Sequence, residues 1–121
     1  MNEILILMLA LFTKHLIVDF PLQGPWQWMN KGTYMHPGGM FHAFLHGVGT
    51  MLCFTHYAPQ AAFWLGLFDS IIHYHIDWLK MNVNAWYGWK SDKHEQFWWA
   101  LGVDQYLHAV TYIGLVALVT K

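Results

Sequence analysis

The chain has 121 residues, of which 56% are hydrophobic, 18% aromatic and only 11% charged. A soluble domain wets its surface with roughly 25% charged residues, so there are too few charges here to cover even a small globule. All six basic residues are lysine and the net charge is −1, which excludes the basic stripe needed to neutralise nucleic-acid phosphates. The single cysteine, Cys53, rules out an intrachain disulfide and reads as a small packing residue.

In chain order, four long apolar segments are predicted as membrane helices. The first spans residues 2–20 and ends where Pro21 biases Phe20 away from helical geometry. It opens with Glu3 and no lysine before Lys14, unlike a secretory leader, so it is expected to be retained. The second spans residues 40–56, with His36-Pro37-Gly38-Gly39 as a breaker before it and Ala58-Pro59 as its stop. The third covers residues 60–82. The fourth covers residues 92–120, with Asp92 and Glu95 as a capping pair. About 20 residues suffice to cross the hydrocarbon core. The expected fold is all-α: a single integral membrane domain over residues 1–121, built as a four-helix transmembrane bundle.

Trp26, Trp28, Trp86, Trp89, Trp98 and Trp99 fall in or beside the long connections, where half-wet rings suit a membrane interface. Both long connections lie at one end of an up-down bundle, together with Lys31, Lys80, Lys90 and Lys93. The positive-inside rule places that end in the cytoplasm and the termini outside. A bacterial inner-membrane location is expected.

Every segment also carries His or Asp at a spacing of four. These are His15 and Asp19; His42 and His46; Asp69, His73 and Asp77; and Asp104 and His108. Such pairs differ by about 40° around the axis and about 6 Å along it, so each projects from one face. With helices alternating in direction, all nine fall towards the long-connection end. Facing lipid, the four aspartates would cost roughly 10 kcal/mol even on the lenient insertion scale. A divalent cation held between carboxylates and imidazoles offsets that cost; protonation, or pairing with Lys14, Lys80 or charged histidines, is the alternative. His42, His46, Asp69, His73, Asp104 and His108 are the candidate metal ligands. Asp77, and Asp19 with His15, are candidate general bases or orienting partners. Mixed imidazole and carboxylate donors suit zinc above all, as one or two ions, with iron or manganese also compatible. Lys14 and Lys80 are expected to snorkel towards the interface, Lys80 with Asp77 in reach. Thr50, Gln105 and Thr111 lie within a turn of the ligand candidates, whereas His75 is expected to face elsewhere.

Four stretches carry a family resemblance: Lys14-His15-x3-Asp19, His36-Pro37-Gly38, His42-x3-His46-Gly47, and Asp69-x3-His73-x3-Asp77-Trp78-x-Lys80. They resemble the bacterial and phage family catalogued as domain of unknown function 3307, over nearly the whole chain. That resemblance implies a membrane-embedded protein and leaves its activity open. At motif level the chain is also similar to the membrane-bound metal-dependent hydrolases, which implies hydrolysis as a reaction class.

The expected function is metal-dependent hydrolysis of a membrane-borne substrate, such as a phospholipid or other lipid phosphate, by a metal-activated water. Membrane lipids are the expected partners. The alternatives are an intramembrane metal or proton transporter or relay, expected to be oligomeric; a di-iron or haem redox site; and a structural metal-binding membrane protein.

Overall fold

The computed structural model describes residues 2–120. Among these, five helices follow one another along the chain: α1 (Glu3–Asp19), α2 (Pro25–Trp28), α3 (Pro37–Phe54), α4 (Pro59–Tyr87) and α5 (Glu95–Val119). No strand occurs among the described residues. The all-α expectation holds, with one short helix more than the four expected.

The local chemistry explains where the helices differ from the expected bounds. Asn2 caps α1 by accepting from the Ile4 N–H at 2.7 Å, and α1 stops just before Pro21. The His36-Pro37-Gly38-Gly39 stretch, expected to break the chain, instead starts α3 three residues early. Pro37 occupies the first helical turn, and His36 Nδ1 accepts from the Gly38 N–H at 3.0 Å. Both glycines are there for close approach: a Cβ on Gly38 would strike the Trp26 carbonyl, and one on Gly39 would press on Lys31 Cα. α4 runs five residues past Asn82, until Gly88 turns left-handed (φ 66°) and the Trp89 N–H returns to the Asn84 carbonyl at 2.9 Å. The Asp92–Glu95 capping pair does not form. α5 starts at Glu95 behind His94, whose Nδ1 accepts from the Lys90 N–H at 3.0 Å.

The four long helices form a ring. α1 packs on α3 and α5, α4 packs on α3 and α5, and α2 lies against α3. At the end holding the short α3–α4 turn the interior is apolar, filled by Leu7, Leu11, Phe54, Leu65, Leu115 and Val116. At the other end it is polar: His42, His46, Asp69, His73, Asp77, Asp104 and His108 are all buried. The outside is the reverse, with Leu5, Leu9, Leu16, Leu52, Trp64, Val103, Ile113 and Leu118 all more than half exposed. One helix, α5, is long and apolar enough to cross a membrane by length and composition. The other three long helices do not meet that test. α1, at 17 residues, rises only about 26 Å, and α4 carries Asp69, Asp77 and Lys80.

Candidate metal centre

Two groups of side chains bring donor atoms close enough to hold a metal ion: Asp19, His42, His46 and His73, and His73, Asp77 and His108. Within each group the donor atoms lie within 4.8 Å of one another. α1 supplies Asp19 from its last turn, α3 supplies the two histidines one turn apart, α4 supplies His73 and Asp77, and α5 supplies His108.

Asp19 is the meeting point. Its Oδ1 lies 2.7 Å from His46 Nε2, 3.1 Å from His42 Nε2 and 3.9 Å from His73 Nε2, while its Oδ2 lies 2.9 Å from His15 Nε2. Asp77 is the second centre. Its Oδ2 lies 3.2 Å from His73 Nε2 and 3.5 Å from His42 Nε2, and its Oδ1 lies 3.3 Å from His108 Nε2. His42 Nε2, both ring nitrogens of His73 and Asp77 Oδ2 are buried without any hydrogen bond. Buried polar atoms in native proteins are almost always satisfied, so His42 Nε2 and His73 Nε2, which both face these carboxylates, call for a proton or a cation, whereas Asp77 Oδ2 already has the Lys31 ammonium 3.1 Å away.

The tautomer of His42 sharpens this. Gln27 Nε2 donates to the Leu22 carbonyl at 2.9 Å, which turns Gln27 Oε1 towards His42. His42 Nδ1–H then donates to that oxygen at 3.0 Å, and in the neutral ring Nε2 is left as a bare lone pair facing two carboxylates. Lone pair against carboxylate is repulsive unless a proton or a metal ion sits between them.

Lysines neutralise most of the buried acid. Lys14 Nζ lies 3.0 Å from Asp69 Oδ2, Lys31 Nζ 3.1 Å from Asp77 Oδ2 and Lys80 Nζ 3.3 Å from Asp104 Oδ2. Asp19 is left with imidazoles alone, so the interior keeps one carboxylate charge that no lysine balances. Two expectations for the lysines are thereby corrected. Lys14 does not snorkel: it is buried and also reaches His46 Nδ1 (3.1 Å) and the Tyr112 hydroxyl (3.0 Å). Lys80 pairs across the interface with α5, not with Asp77 on its own helix. Lys31, expected at the solvated end, is buried as well.

The nine predicted residues thus separate by position. Asp19, His42, His46, His73, Asp77 and His108 converge, and His15 adjoins them through Asp19. Asp69 sits one step away, held by Lys14 and by the Thr50 hydroxyl at 2.6 Å. Asp104 flanks His108 at 3.3 Å and takes the Gln105 amide at 2.9 Å. Thr50 and Gln105 therefore touch the cluster, whereas Thr111 bonds only to its own helix. His75 faces away, bonded to Tyr34 and to the Ile71 carbonyl. Gln27 and Lys31 are not visible in the sequence pattern, which follows helical period and cannot see a one-turn helix or a long side chain reaching across, whereas Tyr112 continues the Asp104–His108 spacing by one more step and that spacing could have found it.

No curated protein and no solved structure matches the chain. The family described as "Protein of unknown function (DUF3307)" matches residues 6–121, and the chain belongs to that family.

Proposed function

We propose that the chain is an integral membrane hydrolase that uses a divalent metal, most simply zinc, to cleave a phospholipid or other lipid phosphate. The observation that carries this reading is the pair of unsatisfied, buried imidazole nitrogens, His42 Nε2 and His73 Nε2, facing Asp19 and Asp77. The membrane part rests on the inverted distribution of polarity, apolar outside and ionic inside. A bilayer removes the penalty on exposed leucines and phenylalanines. Exposed Trp26, Trp28, Trp86, Trp98 and Trp99 gather at the polar end, as at a membrane interface. That end is proposed to face the cytoplasm of a bacterial inner membrane, with exposed Lys90 and Lys93 carrying the inside charge.

A divalent ion in this centre supplies a water nucleophile of lowered pKa and polarises a phosphoryl oxygen. Water oxygen bonds to phosphorus, the phosphorus–oxygen ester bond breaks, and the leaving alkoxide takes up a proton. Asp19 and His15 have side chains 11% and 12% exposed, against 0–2% for His42, His46, His73 and His108, so the centre is approached from their side. His15 is placed to orient Asp19: its Nε2 lies 2.9 Å from Asp19 Oδ2 and its Nδ1 lies 2.7 Å from the Tyr112 hydroxyl.

The transporter alternative draws support from one observation, the chain His15–Tyr112–Lys14–Asp69 with links of 2.7, 3.0 and 3.0 Å. It ends, however, at the apolar packing of Leu11, Phe54, Leu65 and Leu115, which fills the other half of the bundle. The hydrolase reading is therefore preferred.

The test is elemental analysis of detergent-purified protein together with phosphate release from mixed-lipid micelles. Near-stoichiometric metal and turnover that both disappear in His73→Ala are expected. Protein that stays monodisperse without detergent, or that retains no metal, overturns the reading.

A further inference from the structure

We infer that the cation seat is the quartet Asp19 Oδ1, His42 Nε2, His73 Nε2 and Asp77 Oδ2, and that His46 and His108 hold the two carboxylates instead of binding the ion. This rests on the metal-dependent reading above and goes beyond it by separating ligands from positioning residues. Taken in order round the quartet, neighbouring donors are 3.1, 3.5, 3.2 and 3.9 Å apart. Four donors at about 2.1 Å from a tetrahedral ion lie about 3.4 Å from one another. Of the four atoms, His42 Nε2 and His73 Nε2 have no hydrogen bond, and Asp77 Oδ2 has only the Lys31 ammonium 3.1 Å away.

His46 belongs to none of this, for two independent reasons. The first is where its proton lies. A lysine ammonium has three hydrogens and no acceptor, and Lys14 finds three acceptors: Asp69 Oδ2, the Tyr112 oxygen and His46 Nδ1. His46 Nδ1 is therefore bare, and the ring proton sits on Nε2, donating to Asp19 Oδ1 at 2.7 Å. A protonated nitrogen does not ligate. The same assignment continues along the chain: the Tyr112 hydroxyl donates to His15 Nδ1, and His15 Nε2–H donates to Gln105 Oε1 at 3.0 Å with Asp19 Oδ2 beside it at 2.9 Å.

The second reason is ring orientation. Imidazole binds a metal in its own plane, but His46 stacks on His73 with centroids 3.5 Å apart and planes 23° apart. His108 stacks on the other side of His73 at 3.9 Å and 15°. Near-parallel stacked rings cannot aim their nitrogens at one atom. His42 and His73, at 5.4 Å and 59°, can. His108 Nε2 instead lies 3.3 Å from Asp77 Oδ1 and 3.3 Å from Asp104 Oδ1, steadying Asp77 from behind. Each carboxylate ligand thus gives one oxygen to the ion and has an imidazole partner that fixes its plane. Two imidazoles and two carboxylates without thiolate define the chemical class: a borderline divalent ion such as Zn, Fe or Mn.

The experiment is X-ray absorption spectroscopy on the detergent-purified, zinc-loaded full chain, which counts imidazole ligands from their multiple-scattering signature. One ion with two imidazoles is expected. His46→Gln and His108→Gln are each expected to keep one ion and two imidazoles, binding about 10- to 100-fold more weakly. His42→Ala and His73→Ala are each expected to lose more than about 100-fold. Three imidazoles, two ions, or a drop in imidazole number in His46→Gln overturns the assignment while leaving metal dependence standing. Wild-type protein without metal overturns both. Far-UV circular dichroism of each variant separates loss of a ligand from loss of the fold.

Discussion

Gly47 on α3 and Gly66 on α4 face each other so closely that a Cβ on either would run into the backbone carbonyl of the other. This contact sets the spacing of the pair of helices that carries His42, His46, His73 and Asp77. Small residues at such a crossing let two helix backbones approach closely. Gly66→Ala is therefore expected to lower stability by about 1–3 kcal/mol and to weaken metal binding, because it spreads the two ligand-bearing faces. A methyl group added at Gly114 on α5 would meet nothing within 4 Å. Gly114→Ala is expected to raise stability slightly, by up to about 1 kcal/mol, through helix propensity alone. Denaturant unfolding in mixed micelles measures both; equal effects from the two alanines would contradict the close approach.

Gln27 fixes the His42 ring from outside the candidate metal centre, so on the proposed reading its loss is felt in metal binding without disturbing the bundle. Gln27→Leu is expected to weaken metal binding about 10- to 100-fold, with helix content unchanged. Gln27→Glu keeps an acceptor for the Nδ1 proton and is expected to recover most of that affinity. Competition against a chromophoric chelator reads the difference. Wild-type affinity in the leucine variant would mean that the tautomer of His42 is set elsewhere.

The Lys14–Asp69 pair is buried on both sides, at 6% and 1% side-chain exposure. Removing one partner strands the other charge in a low-dielectric interior. Lys14→Met is expected to cost about 3–5 kcal/mol. Lys14→Met combined with Asp69→Leu is expected to cost less than Lys14→Met alone, since neither charge then remains. A double-mutant cycle by denaturant unfolding decides it. Strict additivity of the two single losses would show that the pair is not coupled.

Helical period is enough to find the donors, because residues four apart share a face whatever the rest of the chain does. All four histidines and both carboxylates of the two candidate metal groups sit at that spacing. Depth is legible too, since helices joined by one short and two long connections must alternate. What period cannot encode is which carboxylate a lysine reaches. Lys14 extends across the bundle from α1 to α4, and Lys31 comes from a loop. Those contacts separate Asp69 and Asp104 from Asp19 and Asp77, four residues that look alike in sequence. Gln27 stays hidden because a four-residue helix has no period to detect. The start of α3 is hard to place because Pro and Gly read as breakers, although proline in the first turn and a capping side chain before it are how a helix begins.

Proton competition gives the last prediction. An imidazole binds metal only when its ligating nitrogen carries no proton. Protons compete with the ion for the ligating imidazole nitrogens, so metal affinity falls as pH falls and recovers as it rises. With two imidazole ligands, the logarithm of the affinity is expected to approach a slope of two per pH unit on the acid side. Calorimetric titration in buffers of different ionisation heat measures the same quantity as protons released per ion bound. Affinity that stays pH-independent down to the acid end of the folded range would require binding through carboxylates alone. In that case Asp19 and Asp77 would be the whole site, and Gln27 would have no bearing on metal affinity.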